Sequence, residues 1–319
     1  MNDKIDIIVP WLNGNDIHWQ NEYKNYLKTQ RKGDSCIIRT REWDMFPFFL
    51  RSVAENCKWV NKLFICVFDE HQIPAWLNTD NDKLKIIYHK DILKPEMLPT
   101  FNGLCIESYM VLHKELSNNF VLCNDDFLFV NPTAETDYFR NNICVKYKEP
   151  LNKNSNGTWG YFNHKPDVWQ NLMKNTVRFK EKITENSTFY PMYHIPEAFH
   201  KSDFINFFNS YGNIMDDEYK KYSSKIRQDT NLIASSIVKW IQLDNNDFIS
   251  DKNFINDNLC IDLTDRTNWK NLMDCCLKYK TICINDQVRK ANQQQYLLIK
   301  TRLNRILTTI FPNKCEFEK

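Results

Sequence analysis

Four short apolar runs, each closed by a polar cluster, constrain this chain more than any other feature. Ile5 to Val9, Leu63 to Phe68, Leu84 to Tyr88 and Phe120 to Cys123 are rich in β-branched and aromatic side chains and mostly apolar at consecutive positions. A strand that is apolar on both faces must be covered on both, which is the habit of parallel sheets. Helical patterns lie between the runs at Met45 to Cys57 and Gly103 to Leu116, with Asn102 placed to cap the second.

This alternation predicts an α/β fold: an open, mostly parallel Rossmann-like sheet flanked by helices, with ligands beyond the carboxyl ends of its strands. Polar residues cluster at those ends: Asn13-Gly14-Asn15-Asp16, Asp69-Glu70-His71, His89 with Asp91, and Asn124-Asp125-Asp126. From about Asn141 to Thr188 the chain turns polar and aromatic, which predicts a surface insertion or a lid. Helical patterning returns at Ser202 to Phe208 and Asp229 to Leu243. Gln293 to Phe311 puts Ile299, Leu303, Ile306 and Ile310 on one stripe, as in a helix docked on the domain, on a sister subunit or on a membrane surface. The expected division is 1–140 and 191–290 for the two parts of the catalytic domain, 141–190 for the insertion or lid, and 291–319 for the amphipathic helix.

Composition removes several classes. A formal charge of +2 gives no polyelectrolyte footprint for nucleic acid. With only six Gly, a Gly-rich phosphate loop is excluded, so any phosphate must be held by side chains. Eleven Cys without a C-x-x-C pair read as reduced thiols, not a zinc framework. The start MNDKIDIIVPW lacks a secretory pattern and no long apolar run occurs, so a cytoplasmic protein is expected.

The adjacent Asp125 and Asp126 raise the sharpest question, because a carboxylate beside a buried strand needs a partner, a cation or a turn to the surface. Paired acids at a strand end suit Mg²⁺ or Mn²⁺ against a diphosphate, and a solvated turn is the plain alternative. Glu107 falls near the second turn of the helix that Asn102 opens. Arg41 and Arg51 offer the bidentate fork that holds phosphate. His194 precedes Ile195-Pro196, which fixes its backbone. Arg227 precedes a helical pattern, and Asn285-Asp286 close a short apolar run, echoing Asn124-Asp125-Asp126.

In order along the chain, IDIIVPWLNGNDIHW, LRSV, WVNKLFICVFDEHQIPAWLN, LPTFNGLCIE, FVLCNDDFLFV, HIPEAFHK, KIRQDTNL and ICINDQ resemble the blocks of the Stealth family of sugar-1-phosphate transferases. Asn13 stands where the family usually has Asp, and Gly103 where it has Ser. The resemblance implies transfer of a hexose-1-phosphate or N-acetylhexosamine-1-phosphate from a nucleotide-sugar donor to a hydroxyl of a glycan or polysaccharide acceptor. A phosphodiester forms and a nucleoside monophosphate leaves, in capsule or cell-surface polysaccharide synthesis. It further implies Mg²⁺, with Mn²⁺ as the alternative, held by Asp126 and Asp286. His194, Asp125, Asp126 and Glu107 would be the catalytic group, and Asp16, Arg41, Arg51, Asn102, Arg227 and Asn285 the substrate contacts. Two other readings stay open: a conventional glycosyltransferase using the same acids, and a non-catalytic glycan-binding component of a capsule assembly complex. No nucleic-acid partner is expected. Peripheral contact with the inner face of the cell membrane and a homo-oligomer remain open.

Overall fold

The computed structural model describes residues 4–29, 36–152, 154–155, 160–162, 167–218, 225–264 and 271–319. Its strands, in chain order, are β1 Ile5–Pro10, β2 Leu63–Val67, β3 Leu84–Tyr88, β4 Asn119–Leu122, β5 Phe127–Phe129 and β6 Phe139–Arg140. The remainder are β7 Ile143–Lys146, β8 Glu197–His200, β9 Ile249–Ser250, β10 Asn258–Asp262 and β11 Thr281–Asn285. The main sheet runs β3-β2-β1-β4-β8, parallel except that β8 lies antiparallel to β4. The α/β class and the four parallel strands thus match the reading of the sequence.

The consecutive apolar positions are explained by two buried faces. Ile7, Val9, Leu63, Ile65, Val67 and Val121 point into one cluster, with the helices Phe46–Asn56 and Gln293–Ile310 and the small sheet β10-β11-β5. The alternate residues Ile8, Phe64, Cys66, Phe120 and Leu122 enter a second cluster with the helices Gly103–Met110, Lys201–Glu218 and Ala234–Asp244. Burying a side chain of this size is worth about 1.5–3 kcal/mol, so neither face can be left wet.

Part of the 141–190 segment packs into the domain. It supplies β7 and the helix Val168–Thr184, capped by Asp167, whose Leu172, Met173 and Val177 pack with Trp240 in a third cluster. Periodicity was masked there by the polar residues before it. Residues 153, 156–159 and 163–166 of the segment, Trp159 among them, lie outside the described residues.

The helix Gln293–Ile310 is docked on the domain. Leu303 and Leu307 are buried, and Ile299, Ile306 and Ile310 pack against the first cluster. Its Asn292–Gln295 capping box fixes the start. Among the described residues no helix is long and apolar enough to cross a membrane.

Candidate active site

The stretch Asn124-Asp125-Asp126 is the corner at which the chain leaves one sheet for another. β4 ends in the main sheet, Phe127 N donates to Asn124 O (3.2 Å), and β5 then pairs antiparallel with β11. Ile284 N donates to Asp126 O at 2.9 Å, and Cys283 faces Phe127. The antiparallel register carries the carboxyl end of β11, with Asn285 and Asp286, to the same corner. The echo between the two Asn-Asp pairs is therefore spatial.

His194 reaches this corner just before β8. Its Nε2 lies 3.3 Å from both Asp126 oxygens and 3.3 Å from Asn124 Nδ2, and its ring stands edge-on to Phe127 with centroids 5.1 Å apart. No described residue hydrogen-bonds its Nδ1. Burial lowers the imidazole pKa, but the charge and hydrogen bond of Asp126 override it and raise the group to about 9. Asp125 is half-buried; its carboxyl is pushed well above the usual range by burial first, then by the neighbouring carboxylates of Asp126 and Glu42.

Glu107 belongs to the same electrostatic group. Burial raises its carboxyl, while a 2.5 Å hydrogen bond from Ser235 Oγ and the charge of Arg227 oppose the rise. Glu197 and His194 also act on it. Glu197 is buried on β8, ion-paired to Lys239, and its Oε2 has no hydrogen-bond partner among the described residues.

A second group forms around Arg41. Its Nε lies 3.5 Å from Asp286 Oδ2, its Nη2 donates to Val288 O (2.9 Å), and its guanidinium sits 5.6 Å and 5.3 Å from the ring centroids of Trp43 and Tyr296. Asp286 accepts from Trp43 Nε1 at 3.0 Å and from Val288 N at 2.8 Å. Arg41 Nη1 is buried and, among the described residues, has no partner. A charged donor left unsatisfied in this way is costly unless something else supplies the acceptor. Glu42 joins the two groups through its charge effect on Asp125, and burial raises its own carboxyl.

The other predicted residues have structural tasks. Asp16 accepts from His18 N (2.8 Å) and Gln72 Nε2 (2.7 Å), locking the loop after β1. Gly14 is required there, because an added Cβ would fall 1.9 Å from Thr40 O. Asn102 caps its helix through Leu104 N (3.2 Å) and donates to Asn231 Oδ1 (3.1 Å). Asn285 ends β11 beside Asp262, and its carbonyl accepts from Leu263 N (3.1 Å). Arg51 is the clearest departure. Its Nε and Nη2 grip Glu318 at 2.8 and 2.7 Å and its Nη1 donates to Phe311 O at 2.9 Å, so its fork is spent inside the protein.

A hard divalent cation fits the crowded carboxyl groups of Asp125, Asp126 and Glu42, whose mutual repulsion asks for positive charge. Asp286 fits less well, since both its oxygens already accept hydrogen bonds. Asp126, His194 and Cys283 also place ligand atoms within 4.8 Å of one another, a softer set than Mg²⁺ favours. Glu42, Glu197 and Cys283 escaped the sequence reading. Glu42 adjoins Arg41 and was the most accessible of these; the other two meet the site only through sheet pairing.

Residues 39–147 match the family model Stealth protein CR2, conserved region 2. The chain is 27% identical to a capsular polysaccharide phosphotransferase, WcwK, of Streptococcus pneumoniae, over 99% of this chain and 98% of that one. It is 28% identical to the capsular polysaccharide phosphotransferase SacB of Neisseria meningitidis serogroup A, over 100% of this chain and 57% of SacB. Among solved structures, the galactosyltransferase LgtC shares 9% identity with coverage of 98% of both chains and a TM-score of 0.44, too low to support an argument. The matches place the chain among the capsule-type phosphotransferase relatives. The likeness to the Stealth family model is confined to residues 39–147, and over its whole length the chain is similar to capsular polysaccharide phosphotransferases.

Proposed function

We propose that the chain transfers a hexose-1-phosphate or N-acetylhexosamine-1-phosphate from a nucleotide-sugar to a glycan hydroxyl. A phosphodiester forms and a nucleoside monophosphate is released. The relatives' activity supports the class, and one observation carries the mechanism. The same corner holds an imidazole tethered through one nitrogen and a buried guanidinium, and among the described residues neither the second imidazole nitrogen nor one guanidinium donor has a partner.

In this reading Asp126 fixes His194 through Nε2, and Nδ1 takes the proton of the acceptor hydroxyl as its oxygen attacks the sugar-bearing phosphorus. The bond from that phosphorus to the nucleotide-side oxygen breaks. Arg41 Nη1 donates to a phosphate oxygen, while Asp286 and the two aromatic rings hold the guanidinium in place. Arg227, set against Glu107, is a further phosphate partner. Asp125 and Asp126 would hold Mg²⁺ or Mn²⁺, which supplies charge neutralisation for the diphosphate when bound. The protonated population of His194 is large at neutral pH in the metal-free protein, so a cation near Asp126 favours the basic form. The site is proposed to act in the cytoplasm, where nucleotide-sugars are made.

A panel of nucleotide-sugars with oligosaccharide acceptors tests this reading. Release of nucleoside monophosphate with a new phosphodiester is expected, abolished by EDTA and restored by Mg²⁺ or Mn²⁺. Nucleoside diphosphate with a glycosidic product would establish the conventional glycosyltransferase instead.

A further inference from the structure

The loop after β1 and the turn after β2 meet in a second cluster that shares no residue with the proposed catalytic group. His18 Nε2 lies 3.1 Å from Asp69 Oδ2, and His71 Nδ1 lies 3.4 Å from Asp69 Oδ1. The two imidazoles stack with centroids 4.2 Å apart and planes 28° from parallel, turning a nitrogen of each toward one carboxylate. All three ligand atoms fall within 4.8 Å of one another.

We propose that His18, Asp69 and His71 form a binding site for a divalent first-row transition ion, Zn²⁺ foremost. Zinc bonds of about 2.0–2.1 Å in a tetrahedron put neighbouring ligand atoms roughly 3.3 Å apart, and each imidazole already lies near that distance from one of the two Asp69 oxygens. Two imidazoles and one carboxylate are the donor set of borderline ions, whereas Mg²⁺ takes oxygen. The His side chains are 44% and 55% exposed, which leaves an entry path and room for water in the fourth position.

The surrounding backbone holds this geometry without the ion. His18 N donates to Asp16 Oδ1 at 2.8 Å, and His71 N donates to Asp69 Oδ1 at 3.0 Å. Fully buried Gln72 joins the two segments, donating to Asp16 Oδ2 (2.7 Å) and accepting from Asn13 N (2.7 Å). The ligands thus stand on loops already fastened to each other, so binding requires little rearrangement. The ion would pin the loop after β1 to the turn after β2 at the rim of the ligand crevice. The site stands whether or not the catalytic reading is correct.

The test titrates the chelator-stripped full chain with ZnCl₂ by calorimetry, and with Co²⁺ by absorption to read the donor set. One equivalent of Zn²⁺ is expected to weaken more than about tenfold in His18→Ala and in His71→Ala. The same equivalent persists in Cys283→Ser, and its Co²⁺ spectrum lacks a thiolate charge-transfer band. Unchanged stoichiometry and affinity in both His variants, or no binding by the unsubstituted chain at micromolar metal, would overturn the proposal. Circular dichroism checks folding, and His18→Gln with His71→Gln replace any alanine variant that does not fold.

Discussion

Arg41 and Arg51 come from the same stretch of sequence and are the same residue, yet the fold uses them in opposite ways. Arg51 is saturated: Glu318 takes Nε and Nη2, Phe311 O takes Nη1, and the C-terminal segment is laced further by Asn78 N to Phe317 O and Lys319 N to Trp76 O. Arg41 is fixed by Asp286 and Val288 but keeps Nη1 buried without a partner among the described residues. Residue type therefore does not identify a ligand contact. The unsatisfied buried donor makes Arg41 the candidate of the two, since Arg51 has used up its polar atoms inside the protein.

Removing groups on each side separates binding contacts from structural ones. His194→Ala takes away the proposed base, and transfer should fall about 10²–10⁴-fold with folding intact, measured as kcat under saturating substrates. Near-normal transfer would move the base role to Asp125 or Asp126. Arg41→Ala should lower kcat/KM of the folded fraction about 10²–10³-fold, and it also costs stability by removing the ion pair of the largely buried Asp286. Arg51→Ala should cost stability alone: it strands the buried Glu318 carboxylate, costing about 3 kcal/mol in denaturant unfolding, while the folded fraction keeps activity within about threefold. Equal losses of activity in the two Arg variants would break the contrast.

The smallest effect is a titration. In metal-free protein the His194 ring should titrate near 9 by NMR, and Asp126→Asn should bring it down toward the ordinary value of about 6.5. Because the folded value is raised, the pairing stabilises the fold fully below about 6.5, and that contribution is lost as pH rises through about 9. A ring that titrates at its ordinary value in the unsubstituted chain would mean that Asp126 does not hold it.

Local pattern was enough for the four parallel strands, because two-sided burial writes itself as consecutive apolar residues. It also sufficed for the docked helix Gln293–Ile310, whose stripe survives in the packing of Leu303 and Ile306. Asp125, Asp126 and Asp286 were legible as strand-end acids, but their convergence depends on β5 crossing to pair with β11, a contact no local period encodes. The same holds for Glu197, delivered by an antiparallel strand at the sheet edge, and for Arg51, whose partner lies at the far end of the chain. The helix Val168–Thr184 was hidden for a different reason: a polar, aromatic lead-in resembles a surface loop until Trp240 is seen to cover it.

Whether the acceptor attacks phosphorus or the anomeric carbon is read by following the phosphate. A nucleotide-sugar labelled with ³²P only at the sugar-bearing phosphorus is incubated with enzyme, Mg²⁺ and oligosaccharide acceptor, and the products are separated. Attack at phosphorus puts the label in the acceptor glycan and leaves an unlabelled nucleoside monophosphate. Label recovered wholly in nucleoside diphosphate, with an unlabelled sugar on the acceptor, would contradict it.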